Sequence, residues 1–285
     1  MADIYAVVNQ KGGVGKTTTA VNLAACAAME GRPTLLVDLD AQGNATSGLG
    51  VDRSSLEQCM YDVLTATEAG GEPALSEVVQ KTSIENLDLA PATINLAAAD
   101  LSLANAIARE MRLSRALESL KHNYDIIIID TGPSLGILTI NSLSAANRVL
   151  IPIQCEYYAL EGLSQLLDVI DLVRQQLNPS LEIAGAVLTM FDARTRLAAE
   201  VVEEVRRNFP GRVFNTIIPR NVRLAEAPSY GQPVMIYEPD CAGAQAYLEL
   251  YREVFGDEAT RTWQGPVGTD LGRDDETDRS AANPD

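Results

Sequence analysis

The feature that most constrains this chain is one run near its start: Ala6-Val7-Val8-Asn9-Gln10-Lys11-Gly12-Gly13-Val14-Gly15-Lys16-Thr17-Thr18-Thr19. It reads as a buried strand, a glycine-rich turn and the start of a helix whose pattern continues to Met29. Three glycines within four residues let the backbone curl and turn its N–H groups inward. Inward N–H groups at a helix N-terminus form an anion nest. Lys16 adds a point charge where the β- and γ-phosphates of a nucleotide would lie. The Thr17 hydroxyl stands where Mg2+ takes an oxygen ligand. The residues expected to line the phosphates are therefore Gly12, Gly13, Val14, Gly15, Lys16, Thr17 and Thr18.

The strict phosphate-loop pattern, G-x-x-x-x-G-K-[ST], has glycine at the place of residue 10. Here that residue is Gln10, with a second lysine, Lys11, beside it. The string Lys11-Gly12-Gly13-Val14-Gly15-Lys16-Thr17-Thr18 resembles the deviant Walker A motif of the ParA/MinD ATPases. In that family the early lysine crosses a dimer interface to the nucleotide in the other subunit. The resemblance implies that Lys11 acts in trans and that the active form is an ATP-dependent sandwich dimer.

Downstream, short apolar runs alternate with helical patterns, as expected of βαβ units and a parallel sheet. Strands are expected at residues 4–8, 34–37, 86–90, 125–130, 148–153, 183–189 and 213–218. Helices are expected at 16–29, 137–146, 160–177, 197–208 and 242–255. Residues 46–50 read as a turn. Residues 51–85 read as irregular with short helices, of which 60–66 is one. Residues 96–120 read as one helix, from apolar positions three to four apart. The expected class is α/β, an open sheet of mainly parallel strands of the P-loop NTPase type, with helices on both faces. This ATPase domain is expected to span residues 1–255. Residues 256–285 carry 8 acids and 3 bases with almost no apolar content. Such a composition cannot bury enough surface to offset its ordering entropy, so a disordered acidic tail is expected.

Ligands of open α/β sheets bind at the C-terminal strand edge, which directs attention to acids there. The segment Asp38-Leu39-Asp40-Ala41-Gln42-Gly43-Asn44 resembles the family motif DxDPQGN, with Ala41 in place of proline. In the family the second aspartate acts on the attacking water, which implies that role for Asp40. Asp38, at the same strand end, is expected to support Mg2+ through water. Asp125-Ile126-Ile127-Ile128-Ile129-Asp130 has the β-branched run of a strand buried on both faces. It resembles Walker B, with Asp130 holding Mg2+ through water. Thr131-Gly132-Pro133-Ser134-Leu135-Gly136 resembles the segment that follows, except that Gly132 replaces a proline, so a more mobile loop is expected. Residues 219–228 resemble the family's Pro-Arg-Asn segment. This implies that Pro219 and Asn221 cradle adenine, with Met190 nearby.

The formal net charge of -17 argues against a nucleic-acid partner when taken alone. Residues 190–225 run the other way, with 7 arginines against 4 acids. Arg194 and Arg223, with Arg196 and Arg220 as weaker candidates, match basic positions implicated in DNA contact in relatives. A small basic face of this kind binds phosphates with strong salt dependence. No apolar run approaches the roughly 20 residues that cross a bilayer, and no signal peptide is expected. The four cysteines form no C-x-x-C pair, so buried thiols in a reducing cytoplasm are expected. His122 is expected at the surface.

Within the superfamily, absent features narrow the choice. The tail is acidic and lacks the basic amphipathic helix of MinD-type membrane ATPases. It has no tyrosine, unlike the related kinases, and the cysteines do not cluster as a cluster-binding relative requires. Nine residues precede Gln10, too few for the helix-turn-helix region of larger relatives. The resemblance narrows to the short ParA/Soj branch. It implies a cytoplasmic, nucleoid-associated ATPase using ATP and Mg2+. It further implies non-specific binding to double-stranded DNA, a ParB-type partner and no membrane. The alternative is a MinD-like positioning ATPase acting on a membrane or protein scaffold.

Overall fold

The four consecutive isoleucines form the middle of an eight-stranded sheet in a computed structural model. The structure describes residues 2–66, 74–157, 159–160 and 162–256. The strands are β1 (Asp3–Val7), β2 (Thr34–Leu39), β3 (Gln80–Lys81), β4 (Leu87–Ala90), β5 (Ile126–Thr131), β6 (Arg148–Gln154), β7 (Glu182–Phe191) and β8 (Val213–Pro219). Their order is β3-β4-β2-β5-β1-β6-β7-β8, and all pairings are parallel except that of β3 with β4.

Period-two alternation assigns each strand residue to a face. Ile127 and Ile129 point, with Ile4, Ala6 and Val37, toward helices at Arg112–Glu118, Ile137–Ala145, Leu163–Gln176 and Arg196–Asn208. Ile126 and Ile128 point, with Tyr5, Val7 and Leu36, toward α1 (Lys16–Met29) and the helix Ala242–Phe255. Both faces are covered, as parallel sheets require. The outer edge strand β8 is also protected. The Glu253 carboxylate, from the last helix, accepts the Asn215 and Thr216 N–H groups at 2.8 and 2.9 Å.

Three expectations change. Residues 96–120 are not one helix. The chain makes short turns at Ile94–Ala98, Ala99–Ser102 and Arg109–Met111 before the helix Arg112–Glu118, and Ala108 takes a left-handed φ of 50°. The inward positions break off between Leu103 and Leu113, and Ile107, midway, is 87% exposed. The apolar spacing therefore never made one continuous stripe. Residues 46–50 are not simply a turn, because α2 (Asn44–Gly48) closes one turn of helix. The two-residue strand β3 lay in a segment read as irregular. The tail beyond residue 256 lies outside the described residues.

Candidate active site

Strand register brings the motifs together. Val7, at the end of β1, pairs with Asp130 of β5, and Asp130 pairs with Asp38 of β2. The glycine-rich loop leaves β1 at this same edge. Gly13 and Gly15 sit at φ of 75° and 87°, a region that side chains disfavour. Gly15 is the N-cap of α1 and supplies no side-chain cap, so the first N–H groups of α1 stay available to an anion. Lys16 is 6% exposed, and its ammonium donates to the Lys11 carbonyl at 2.9 Å. Burial lowers its pKa, against the opposing pull of Asp130 and Asp40. The half-buried Lys11 forms no ion pair among the described residues.

The loop is pinned by side chains that the motif does not contain. Asn9 Oδ1 accepts the Lys11 N–H at 3.0 Å while its amide donates to the Pro152 carbonyl at 2.8 Å. The Thr189 hydroxyl donates to the Val14 carbonyl at 2.9 Å, and the Thr131 hydroxyl to the Val7 carbonyl at 2.8 Å. Their shared signal in sequence is a polar residue at or just past the end of an apolar strand.

The three acids of the edge have three different environments. Asp130 is fully buried, and neither carboxylate oxygen forms a well-made hydrogen bond among the described residues, although the Thr17 hydroxyl lies close by. Burial and the neighbouring Asp38 raise its pKa well above the usual carboxylate range, with the Thr17 hydroxyl offsetting part of the rise. Buried unpartnered polar atoms are rare and call for a partner. A carboxylate left open beside a threonine hydroxyl suits a hard cation. The described residues hold no cluster of three or more acid, histidine or cysteine ligands.

Asp38 differs. Its Oδ1 accepts the Asp40 N–H at 3.1 Å, and its Oδ2 accepts the Thr46 N–H at 2.9 Å and the Thr46 hydroxyl at 2.7 Å. Burial pushes its pKa up to about 6 despite these three donors. The sequence implies that Asp38 supports Mg2+ through water. The structure engages both its oxygens with protein donors, and the open carboxylate is that of Asp130. Asp40 is half-buried. Its Oδ1 accepts the Gln42 N–H at 3.0 Å, and its Oδ2 accepts no hydrogen bond among the described residues. Gly132 leaves room for it, since a Cβ at 132 would lie 3.3 Å from Asp40 Oδ1.

Met190, Pro219 and Asn221 also come together. Phe191 pairs with Pro219 across β7 and β8, and the Arg220 N–H donates to the Phe191 carbonyl at 2.9 Å. Met190 holds a left-handed φ of 55°, uncommon outside glycine. Asn221 Oδ1 accepts the Arg223 N–H at 2.8 Å and caps the short helix Val222–Glu226. Arg194 and Arg223 lie just beyond these neighbouring strand ends. Each pairs with a nearby acid, Arg194 with Asp192 at 2.7 Å and Arg223 with Glu226 at 2.7 Å, and Arg220 pairs with Glu156. Exposed pairs of this kind are weak, so phosphates can compete for them. Arg196 is exposed at the start of its helix, and His122 is at the surface. Cys26, Cys59 and Cys155 are buried thiols, whereas Cys241 is half-buried.

A family model described as an AAA domain matches residues 2–183. The sporulation initiation inhibitor protein Soj of Bacillus subtilis (strain 168) is 56% identical over 254 residues, covering 89% of this chain and 98% of that protein. The chromosome partitioning protein ParA of Myxococcus xanthus is 52% identical over 251 residues, covering 88% and 87%. Among solved structures, the cobyrinic acid a,c-diamide synthase from Mycobacterium smegmatis with bound ADP and magnesium superposes with a TM-score of 0.80 at 36% identity, covering 95% and 100%. The cell division ATPase MinD of Pyrococcus furiosus gives 0.70 at 26% identity, covering 89% and 98%. With the glycine-rich loop, the second lysine and the strand-end acids in one edge, the chain belongs to the Soj/ParA family of chromosome-partitioning ATPases.

Proposed function

We propose that this ATPase couples ATP binding to homodimer formation, binds double-stranded DNA without sequence preference as a dimer, and segregates a chromosome or plasmid with a ParB-type partner that stimulates hydrolysis. The observation that carries the nucleotide reading is the open, buried carboxylate of Asp130 facing Thr17 beneath the glycine-rich loop. It is supported by the neighbour crystallised with ADP and magnesium.

The proposed chemistry is mainly positioning and charge neutralisation, as phosphoryl transfer requires. The loop N–H groups of residues 12–18 and the Lys16 ammonium receive the β- and γ-phosphates. For the ammonium this means leaving the Lys11 carbonyl. Thr17 and Asp130 would hold Mg2+. The metal, when bound, neutralises charge on the phosphate oxygens. Asp40 orients the attacking water with the oxygen that its own loop leaves open. Lys11 of the second subunit meets the γ-phosphate, which makes dimerisation depend on ATP. Met190, Pro219 and Asn221 frame the adenine. Arg194 and Arg223 of both subunits form the DNA face.

The test is calorimetry, light scattering and ATP turnover on three variants. Lys16→Ala should lose nucleotide affinity by about 100-fold or more, on the scale of a buried charged contact. Lys11→Ala should keep ATP affinity and lose ATP-dependent dimerisation. Asp40→Ala should bind ATP, dimerise and turn over at least tenfold more slowly, on the scale of a water-positioning group. Equal loss of ATP affinity in Lys11→Ala and Lys16→Ala would place Lys11 in its own subunit's site.

A further inference from the structure

The end of β2 and the start of α2 are joined by a chain of hydrogen bonds buried from solvent. The Thr46 hydroxyl donates to Asp38 Oδ2 at 2.7 Å and accepts the Ala92 N–H at 2.9 Å. The Thr46 N–H also donates to Asp38 Oδ2, and Asp38 Oδ1 accepts the Asp40 N–H. Asp38, Thr46 and Ala92 are each 0% exposed.

This arrangement does two things. The N-cap of α2 is Gly43, which has no side chain to accept the N–H of the third helical residue, Thr46. Asp38 supplies that acceptor from the neighbouring strand, an N-cap delivered from a distance. The same carboxylate holds Asp40 by its N–H, while the Asp40 carbonyl accepts the Gly43 N–H at 2.8 Å. The loop carrying Asp40 is thereby fixed at both ends to one carboxylate. That carboxylate takes its orientation from Thr46, and Thr46 is tied through Ala92 to the segment that follows β4.

We propose that Thr46 is a positioning residue for hydrolysis, setting through Asp38 the place of the Asp40 carboxylate relative to the nucleotide. This rests on the reading of Asp40 as the group that orients water. The Thr46 side chain hydrogen-bonds Asp38 and Ala92 and none of the residues proposed above to hold the nucleotide or Mg2+, so its effect should fall on the chemical step and not on nucleotide binding. A displacement near 1 Å of a positioned group lowers turnover by up to about 100-fold.

The test uses the full chain, measuring steady-state ATP turnover, ATP affinity by calorimetry and the Mg2+ concentration giving half-maximal rate. Thr46→Val removes the hydroxyl at constant shape. Its kcat should fall about 10- to 100-fold while ATP affinity stays within about twofold. Thr46→Ser restores the hydroxyl and should recover most of the rate. Asp38→Asn replaces one acceptor oxygen and should lower kcat with no change in ATP affinity or Mg2+ requirement. Asp40→Ala is measured alongside. If it turns over like wild type, the reading of Asp40 fails and the inference falls with it. If Asp40→Ala is slow but Thr46→Val is not, the inference alone is overturned. A loss of ATP affinity in Thr46→Val matching its loss of rate would make Thr46 structural and overturn it too. If Thr46→Val does not fold, Asp38→Asn decides. An unchanged kcat, or a raised Mg2+ requirement, would overturn the inference, the latter by returning Asp38 to the metal.

Discussion

Asp130 is kept in a state that costs the free protein stability. Its burial and the adjacent Asp38 raise its pKa, so ionising it is harder in the fold than in the unfolded chain. The sign follows from linkage. An acid with a raised folded pKa binds more protons in the native state, so stability falls as pH rises from the ordinary carboxylate pKa through the raised one. Asparagine mimics the neutral form. Asp130→Asn should therefore be more stable than wild type at pH 8 without nucleotide, by ~1–3 kcal/mol, and melt at a higher temperature. The gain should shrink toward zero as pH falls to about 4, near the unfolded carboxylate pKa. Thermal melts at several pH values check this. The same variant should lose Mg2+-dependent turnover, so stability and activity move in opposite directions at this residue. A variant no more stable than wild type at pH 8 would mean that the open carboxylate carries no cost to the fold.

At the scale of elements, the departure from the strict phosphate loop has a physical correlate. The Gln10 side chain lies over Gly162, at the N-terminus of the helix Leu163–Gln176, where a Cβ would sit 1.6 Å from the Gln10 amide nitrogen. Gly162 also holds a φ of 73°. Gly162→Ala should cost ~1–2 kcal/mol for the left-handed backbone alone and more for the clash. Gln10→Ala should relieve only the second part, which a double-mutant cycle in denaturant melts separates. This contact shows where legibility ended. The strands other than β3, together with α1 and the acids at strand ends, were readable because periodicity and motif spacing are local properties. The partners of those motifs were not. Asn9, Thr189 and Thr131 pin the loop by bonds to residues two to 175 positions away. Thr46 finds Asp38 eight positions away only once α2 has turned. Asp38 and Asp130 look alike in sequence, each an acid at a strand end, and only the placement of donors around them tells the hydrogen-bonded carboxylate from the open one. Residues 96–120 misled for the converse reason, because apolar spacing was present locally without one surface for it to face.

For the molecule as a whole, the net charge of -17 opposes an approach to DNA, and in the proposed function the arginines near the ends of β7 and β8 would have to overcome it at close range. Pairing two copies would double the phosphate contacts held in one rigid unit. With about four contacts per dimer, affinity should fall roughly 100-fold between about 50 and 200 mM salt. Arg223→Ala should weaken binding and reduce the slope of log affinity on log salt by about two, leaving ATP-dependent dimerisation intact. Mobility shifts at several salt concentrations, with ATP, ADP and no nucleotide, provide the measurement. Equal affinity for the two proteins would move the DNA face elsewhere, and no binding by wild type at low salt would favour a membrane or protein scaffold as the surface. The strand order carries a different consequence, for synthesis. β1 leaves the ribosome first, yet its two neighbours in the sheet begin only at Ile126 and Arg148. At ~5–20 residues per second the strand waits on the order of ten seconds with both edges unpaired. The loop after it gains its Thr189 contact later still. The glycine-rich loop therefore cannot take up the arrangement described above until strands more than a hundred residues further along the chain have been made.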